Sequence, residues 1–307
     1  MADLSLIYEG VDITDSVDIK ECVFRDVSGR ECDCLDMKLD HAERWLRWGP
    51  RKNDTIQVKR GGYDTKTLYL NTIALEDGAY RVYATSAKSQ TFPRRWQTFE
   101  GKSLQTIMSV CAGELGMSAK LFGVNGATVY EYLLRHNQTA PVFLEELAGL
   151  EGAVLKTLNG ALVAIGIEYA QGIEAMHTIE LSIDQANSAY IDQRDKRWSS
   201  VEIRTPFVKG SARASGAQGA NQVITNLCLD NDAQAYRWAK GMLLAHNRKC
   251  EILRLESEFN PGYTAMGRLD VVSESDANGQ WIIDSVEHDM MGNTSRPVLH
   301  RCVYDIE

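Results

Sequence analysis

The sequence has 307 residues, 44% hydrophobic and 24% charged, with 33 basic against 42 acidic side chains and a net charge of −9. This composition excludes a disordered tail and, with 6 Pro against 24 Gly, a collagen-like or proline-rich chain. The acidic balance opposes a dedicated nucleic-acid binder, whose affinity comes from Lys and Arg placed on phosphates.

The length suggests about two domains. The first ten residues carry Asp3 and Glu9 with no basic residue before the apolar positions, so no secretory signal is expected. Leu35, Met37 and Leu39 alternate with Asp36, Lys38 and Asp40, the period of a half-buried strand. Ile56 and Val58 repeat it before a Gly61-Gly62 turn, and Leu68, Leu70, Ile73 and Leu75 follow. Asp77-Gly78 is a hairpin signal, with Tyr80, Val82 and Ala84 alternating beyond it. Short strands joined by tight turns predict a sandwich or small barrel over residues 1–91.

Helical spacing then takes over. Ser103 is placed to cap a helix burying Leu104, Ile107, Met108, Cys111 and Leu115, with Gly116 ending it. A second helix is expected from Thr139 and Pro141, burying Val142, Phe143, Leu147 and Leu150 and stopping near Gly152. Asn159-Gly160 predicts a hairpin between Val154–Leu158 and Leu162–Ile167, making residues 92–167 a small α+β unit. Strands return after Gln171, with Ile179, Leu181 and Ile183 alternating. Residues 210–221 are rich in Gly, Ala and Ser and read as a mobile loop. The uncharged stretch from Ala214 to Leu229 overlaps that loop; it is full of Ser, Gln, Asn and Thr and shorter than the roughly 18 apolar residues of a membrane span. A long helix is predicted near 231–248, capped by Asp230 or Asp232, with Ala235, Trp238, Ala239, Met242 and Leu243 as its apolar stripe. The rest, within the third unit 168–307, is β again.

The chemical motifs are weak. Gly101-Lys102-Ser103 resembles the end of a phosphate loop, but Trp96 stands where the motif needs its first glycine, so Ser103 is read as an N-cap. Glu274, Asp276, Asn278 and Gly279 mimic a calcium loop whose twelfth position would be Ser285 rather than the required Glu. A type I′ hairpin turn is the simpler expectation. The seven cysteines, an odd number, point to a reducing compartment. Cys32 and Cys34 lack a second pair, and neither His246 with Cys250 nor His300 with Cys302 completes a four-ligand set. Glu145 and Glu146 are adjacent on a helix and read as a solvated face. No metal, cofactor or catalytic residue is expected.

An ordered set of segments carries more. Asp54-Thr55-Ile56-Gln57-Val58 follows a Gly49-Pro50 break. Phe92-Pro93-Arg94-Arg95-Trp96 precedes Phe99-Glu100-Gly101-Lys102-Ser103-Leu104 and a helix ending Glu114-Leu115-Gly116-Met117. Leu134-Arg135-His136-Asn137-Gln138-Thr139, Phe143-Leu144-Glu145-Glu146-Leu147-Ala148 and Glu151-Gly152 follow, with Trp281-Ile282-Ile283-Asp284-Ser285-Val286-Glu287-His288 near the end. This order resembles the late control D family, the baseplate hub proteins of contractile phage tails, related to the N-terminal hub region of type VI secretion spike proteins. The chain departs from it at Tyr69-Leu70-Asn71, where members often carry a glycine, which bears on the local register.

The resemblance implies an α+β, mainly β fold: two small β-barrel domains, 1–91 and 168–307, around the α+β unit 92–167. It implies a non-enzymatic homotrimer joining the tail tube to a separate central spike, among other baseplate proteins, in a virion or tail-like particle assembled in the host cytoplasm. No membrane is involved, and DNA passes only in transit through the lumen. Phe92, Arg94, Arg95 and Trp96, aromatic and basic at a domain junction, are the candidate subunit contact, the other reading being a filled gap between domains. A carbohydrate- or receptor-binding tail component is the alternative, with Trp45 and Trp48 as its platform unless they serve the core or a subunit contact.

Overall fold

The computed structural model describes residues 4–182, 188–216, 218–304 and 306–307. In strand Cys34–Asp40 the alternation resolves as expected: Leu35, Met37 and Leu39 are fully buried, while Asp36 and Lys38 keep partial access to water. Asp77-Gly78 and Asn159-Gly160 are both two-residue turns with two positive φ angles, 51° and 80° in the first and 48° and 71° in the second. That is type I′ geometry, whose twist matches the strands it joins.

Strand Leu68–Glu76 shows why its apolar residues change parity. Leu70 pairs with Ala84, but Thr72 pairs with Tyr83, so one extra residue, Asn71, is bulged out. The bulge moves the inward face from Leu68 and Leu70 to Ile73, beside buried Val82. It sits in the segment where the family pattern departs. A second bulge at Asp284 likewise separates Trp281 and Ile283 from Val286 and His288 in strand Gly279–Asp289.

Among the described residues, 15 strands form one sheet. Its seam is the antiparallel pairing of Asp18–Val27 with Gly279–Asp289, in register from Ser285↔Val27 to Asp289↔Val23. On one side the order continues through Cys34–Asp40, Ala79–Thr85, Leu68–Glu76, Thr55–Arg60 and Leu4–Tyr8. On the other it runs through Thr294–Arg301, Glu251–Arg254 and Ala189–Asp192. The apolar cores stay separate on either side: Leu6 to Ala84 with Met290 form one cluster, and Leu181 to Leu299 another.

The α+β unit forms around helices Leu104–Glu114 and Ala140–Leu150. Ser103 Oγ accepts from Thr106 N at 3.2 Å, the expected N-cap, and Gly116 closes the helix with φ 70°. Strand Ala161–Gly166 pairs antiparallel with Ala153–Leu158 and parallel with Ser118–Phe122. Val142 departs from expectation: it is exposed, because Phe143, Leu144 and Leu147 supply the buried stripe.

The long helix spans Asp232–Asn247, and Asn231 caps it by accepting from Gln234 N at 3.0 Å. Neither predicted cap does this. Asp230 instead accepts from the backbone of Glu131 and Tyr132, and Asp232 from that of Lys209. By packing, the helix belongs with the α+β unit, since Ala235, Trp238, Ala239 and Leu243 share a core with Phe143, Leu147 and Leu155.

The loop expected at 210–221 is corrected at its two ends, while residues 215, 216 and 218–220 between them form no strand. Strand Lys209–Arg213 pairs with Ser200–Arg204, which pairs in turn with Asn221–Ile224. Two of the small residues serve packing: a Cβ on Gly210 would lie 2.2 Å from the Tyr236 backbone nitrogen, and Ala212 is fully buried. The type I′ turn at Asn278-Gly279 is a second correction, because residues 273–278 form a longer loop and Gly279 already begins a strand. Within that loop Ser273 N donates to Asn278 Oδ1 at 3.2 Å. Asp3, Ile183 and Ala217, which the expectations included, lie outside the described residues.

Candidate functional site

The predicted patch proves to be ordered structure. Arg95 opens strand Arg95–Ser103, which pairs only with Val129–Gln138 among the described residues, giving a two-stranded ribbon. Arg135, fully buried, fixes the approach: its guanidinium donates to Glu114 at 2.8 Å, Gln138 O at 2.8 Å and Pro93 O at 3.3 Å. Arg94 donates to Asn137 O at 3.3 Å, and Arg95 lies 3.8 Å from Glu114 with half its side chain in water.

Trp96 is 66% exposed and meets His136 edge-on at 4.1 Å between ring centroids. On the same face Thr98 pairs with Leu134 and Glu100 with Tyr132, and both Leu134 and Tyr132 are exposed. Trp96, Leu134 and Tyr132 therefore make an apolar strip on the outer face of the ribbon. Asp230 covers the far edge by accepting from Glu131 N at 2.8 Å and Tyr132 N at 3.3 Å.

Phe92 parts from the other three. It packs on the α+β core and lines a cleft of about 540 Å³, with Met117, Val142, Leu155 and Leu162 among its apolar walls. Arg30, Glu31, Glu145 and Glu146 are at the same cleft, and Arg30 pairs with Glu145 at 2.7 Å.

Among the residues lining the cleft Lys156 is buried, bonded to Asp26, to Asp33 at 3.2 Å and to Val27 O at 3.2 Å. Thr264 Oγ1 donates to the second Asp26 oxygen at 2.7 Å. One ammonium thus ties the seam strand, the loop after it and the α+β unit together. Burial works against the Lys156 charge, but Asp26 and Asp33 outweigh it and its pKa is raised. Burial pushes the Asp33 carboxyl up to about 7, with the Asp26 charge adding to the rise and Lys156 opposing it.

The sign of the pH dependence follows. An Asp raised in the folded state keeps a proton that the unfolded chain has lost above about pH 4. The Asp33 contribution is therefore fully present below about pH 4 and lost as pH rises through about 7. Urea unfolding at about pH 5 and about pH 8 should show the native protein losing stability relative to Asp33→Asn across that window. Parallel pH profiles for the two would refute this.

No protein-family model matches the sequence, and no curated protein matches it. Solved structures do. The chain is similar to the 43 kDa tail protein of prophage MuSo2 from Shewanella oneidensis, with a TM-score of 0.72, 12% identity, and 98% of each chain covered. A tail protein from Neisseria meningitidis gives 0.74 at 12% identity, covering 97% of this chain and 96% of that one. A type VI secretion system component from E. coli, described as similar to bacteriophage T4 tail proteins, gives 0.55 at 11% identity over 97% of this chain and 76% of that one. The chain has the fold of a phage tail protein.

Within that tail-protein fold the other sequence candidates settle into ordinary roles. Trp45 is fully buried against Tyr8, with rings 5.6 Å apart, so it cannot form a carbohydrate platform; Trp48 is 51% exposed without it. Lys102 and Ser103 end a strand rather than a phosphate loop. Cys250 Sγ approaches the His246 carbonyl rather than its ring, and among the described residues no group of three His, Cys, Asp or Glu side chains could hold a metal. Glu145 and Glu146 are not simply solvated, as Glu146 accepts from Gln138 and Glu145 pairs with Arg30. Asp284, His300 and Arg248 form a buried trio in which His300 Nδ1 is 3.0 Å from Asp284 and Nε2 is 3.5 Å from Arg248. Each ring nitrogen thus lies against one of these two neighbours. The sequence reading missed Tyr132 and Leu134, whose signal was their alternation with buried Leu133 and Arg135.

Proposed function

We propose that the chain is a structural baseplate hub of a contractile tail or tail-derived particle, a non-enzymatic homotrimer that joins the tail tube to a central spike. The observation that carries this reading is the end-to-end likeness to two tail proteins, over 97–98% of this chain and 96–98% of theirs. In the trimer, the two β-rich units 1–91 and 168–307 would each present a sheet surface to the tube. Three chains would then offer six comparable surfaces to a sixfold ring, and a threefold face to the spike. The three-unit division is itself part of the proposal; the separate cores on either side of the seam support two β-rich units, whereas Val201, Ile203, Ala212 and the long helix pack on the α+β core. The site of action is the particle baseplate, assembled in the host cytoplasm with other baseplate proteins and with DNA passing only through the lumen.

Closed cyclic symmetry requires heterologous contacts, one patch meeting a different patch on the next chain. Arg94, Arg95 and Trp96 on the exposed ribbon, with Phe92 behind them at the cleft, are assigned to such a contact. A particle map should show three copies at the tube end, and one or six copies would refute the trimer. Arg95→Glu should weaken assembly by about tenfold while the monomer stays folded, because Arg135 still holds Glu114. Normal particle yield from this variant would remove the patch and leave the trimer standing.

A further inference from the structure

The hairpin joining strands Ser200–Arg204 and Lys209–Arg213 holds Phe207 at 95% exposure, the most exposed large apolar side chain among the described residues. The presentation is rigid. Thr205 N donates to Val208 O at 2.8 Å, and Thr205 Oγ1 accepts from Val208 N at 3.0 Å and Phe207 N at 3.3 Å. Pro206 restricts the backbone between them. An aromatic ring held out in water by a pre-ordered turn has already lost the freedom that binding would otherwise remove, which is the property of an interface anchor.

The same chain carries a receptor of matching character. The cleft beside Phe92 has apolar walls, and its volume of about 540 Å³ falls in the range of roughly 300–1,000 Å³ typical of binding pockets. Charge also matches. The Phe207 turn is flanked by exposed Arg204 and Lys209, with Glu202 at 3.7 Å from Arg204. The cleft residues include three carboxylates, Glu31, Glu145 and Glu146, against two cations, Arg30 and Lys156, and Lys156 is already paired with Asp26 and Asp33 behind the wall. The turn and the cleft sit on different elements: Gly210 seats the hairpin on the long helix at Tyr236, while the cleft opens beside helix Ala140–Leu150. A knob and a hole at separate places on one chain are the two halves of a heterologous contact.

We propose that Phe207 of one copy inserts into the cleft lined by Phe92, Val142 and Leu155 on the next copy, so that three such contacts close the ring. This rests on the trimer reading and specifies its contact. Cys32 lines the cleft with a free thiol, which permits a direct test. In a Cys228→Ser background, which removes the exposed cysteine, Phe207→Cys should form covalent dimers and trimers on oxidation, and adding Cys32→Ser should abolish them. Separately, Phe207→Asp should shift the purified chain from trimer to folded monomer by light scattering, with unchanged circular dichroism. Three results would overturn the proposal. They are the absence of a Cys32-dependent product, capture of Phe207→Cys on a tube or spike protein, and a Phe207→Asp protein that remains trimeric. In each of these the trimer reading survives. A native chain that never trimerises removes both.

Discussion

Replacing Lys156 by Met is expected to destabilise the fold by about 3–5 kcal/mol at alkaline pH, well above the Asp33 value of about 7, the usual cost of removing one partner from a buried ion pair. Methionine fills nearly the same volume, so packing is kept and only the cation is lost. Two buried carboxylates, Asp26 and Asp33, then share one pocket with no positive charge between them, and only the Thr264 hydroxyl still donates to Asp26. The loss should shrink on acidification, because protonating either carboxylate removes the repulsion. Adding Asp33→Asn to Lys156→Met should recover part of the stability for the same reason. Urea unfolding followed by circular dichroism measures all three proteins. A single-variant loss of less than about 1 kcal/mol would mean that the carboxylates do not depend on the ammonium.

Gly241→Val should cost at least the roughly 1–3 kcal/mol typical of overpacking, and more here because rigid backbone is what it strikes. A Cβ at 241 would stand 2.2 Å from Leu150 O and 2.6 Å from Gly152 N. These atoms close helix Ala140–Leu150, so the long helix would have to retreat from the unit it stabilises. Gly210 meets the same helix as closely, at Ala235 and Tyr236, which limits how far it can shift. Gly149→Ala is the internal control: nothing lies within 4 Å of the added methyl, and a helical Ala should gain about 0.5–1 kcal/mol over Gly. Thermal unfolding of both variants decides the matter, and equal midpoints would remove the clamp.

Much of the local structure was legible before any tertiary contact was known. Asp77-Gly78 and Asn159-Gly160 encode their own turns, since each residue's backbone preference acts within the dipeptide. Ser103 caps its helix with an oxygen three residues from the amide it satisfies. The mistakes share one cause. Gly210 is small because the long helix approaches it closely and Ala212 because it is buried, and smallness for packing reads from sequence as smallness for mobility. Asn231 rather than its acidic neighbours caps the long helix because Asp230 and Asp232 are drawn to backbone donors in other strands.

The candidate site divides in the same way. The residue types of the Phe92–Trp96 patch marked it as an interface, and its ribbon exposes Trp96, but Tyr132 and Leu134 join that face only through pairing across some thirty-five residues.

By itself the sequence determined most strands and helices, the turns at Asp77-Gly78 and Asn159-Gly160 and the mainly β character of this chain, because those follow from side-chain period and backbone preference over a few residues. Only the tertiary structure decided that Asp18–Val27 pairs with Gly279–Asp289, that Lys156 lies between Asp26 and Asp33, and that Phe92 lines a cleft. Backbone donors and acceptors are the same in every strand, so pairing across most of the chain is selected by the total burial of many side chains together, which no local pattern records.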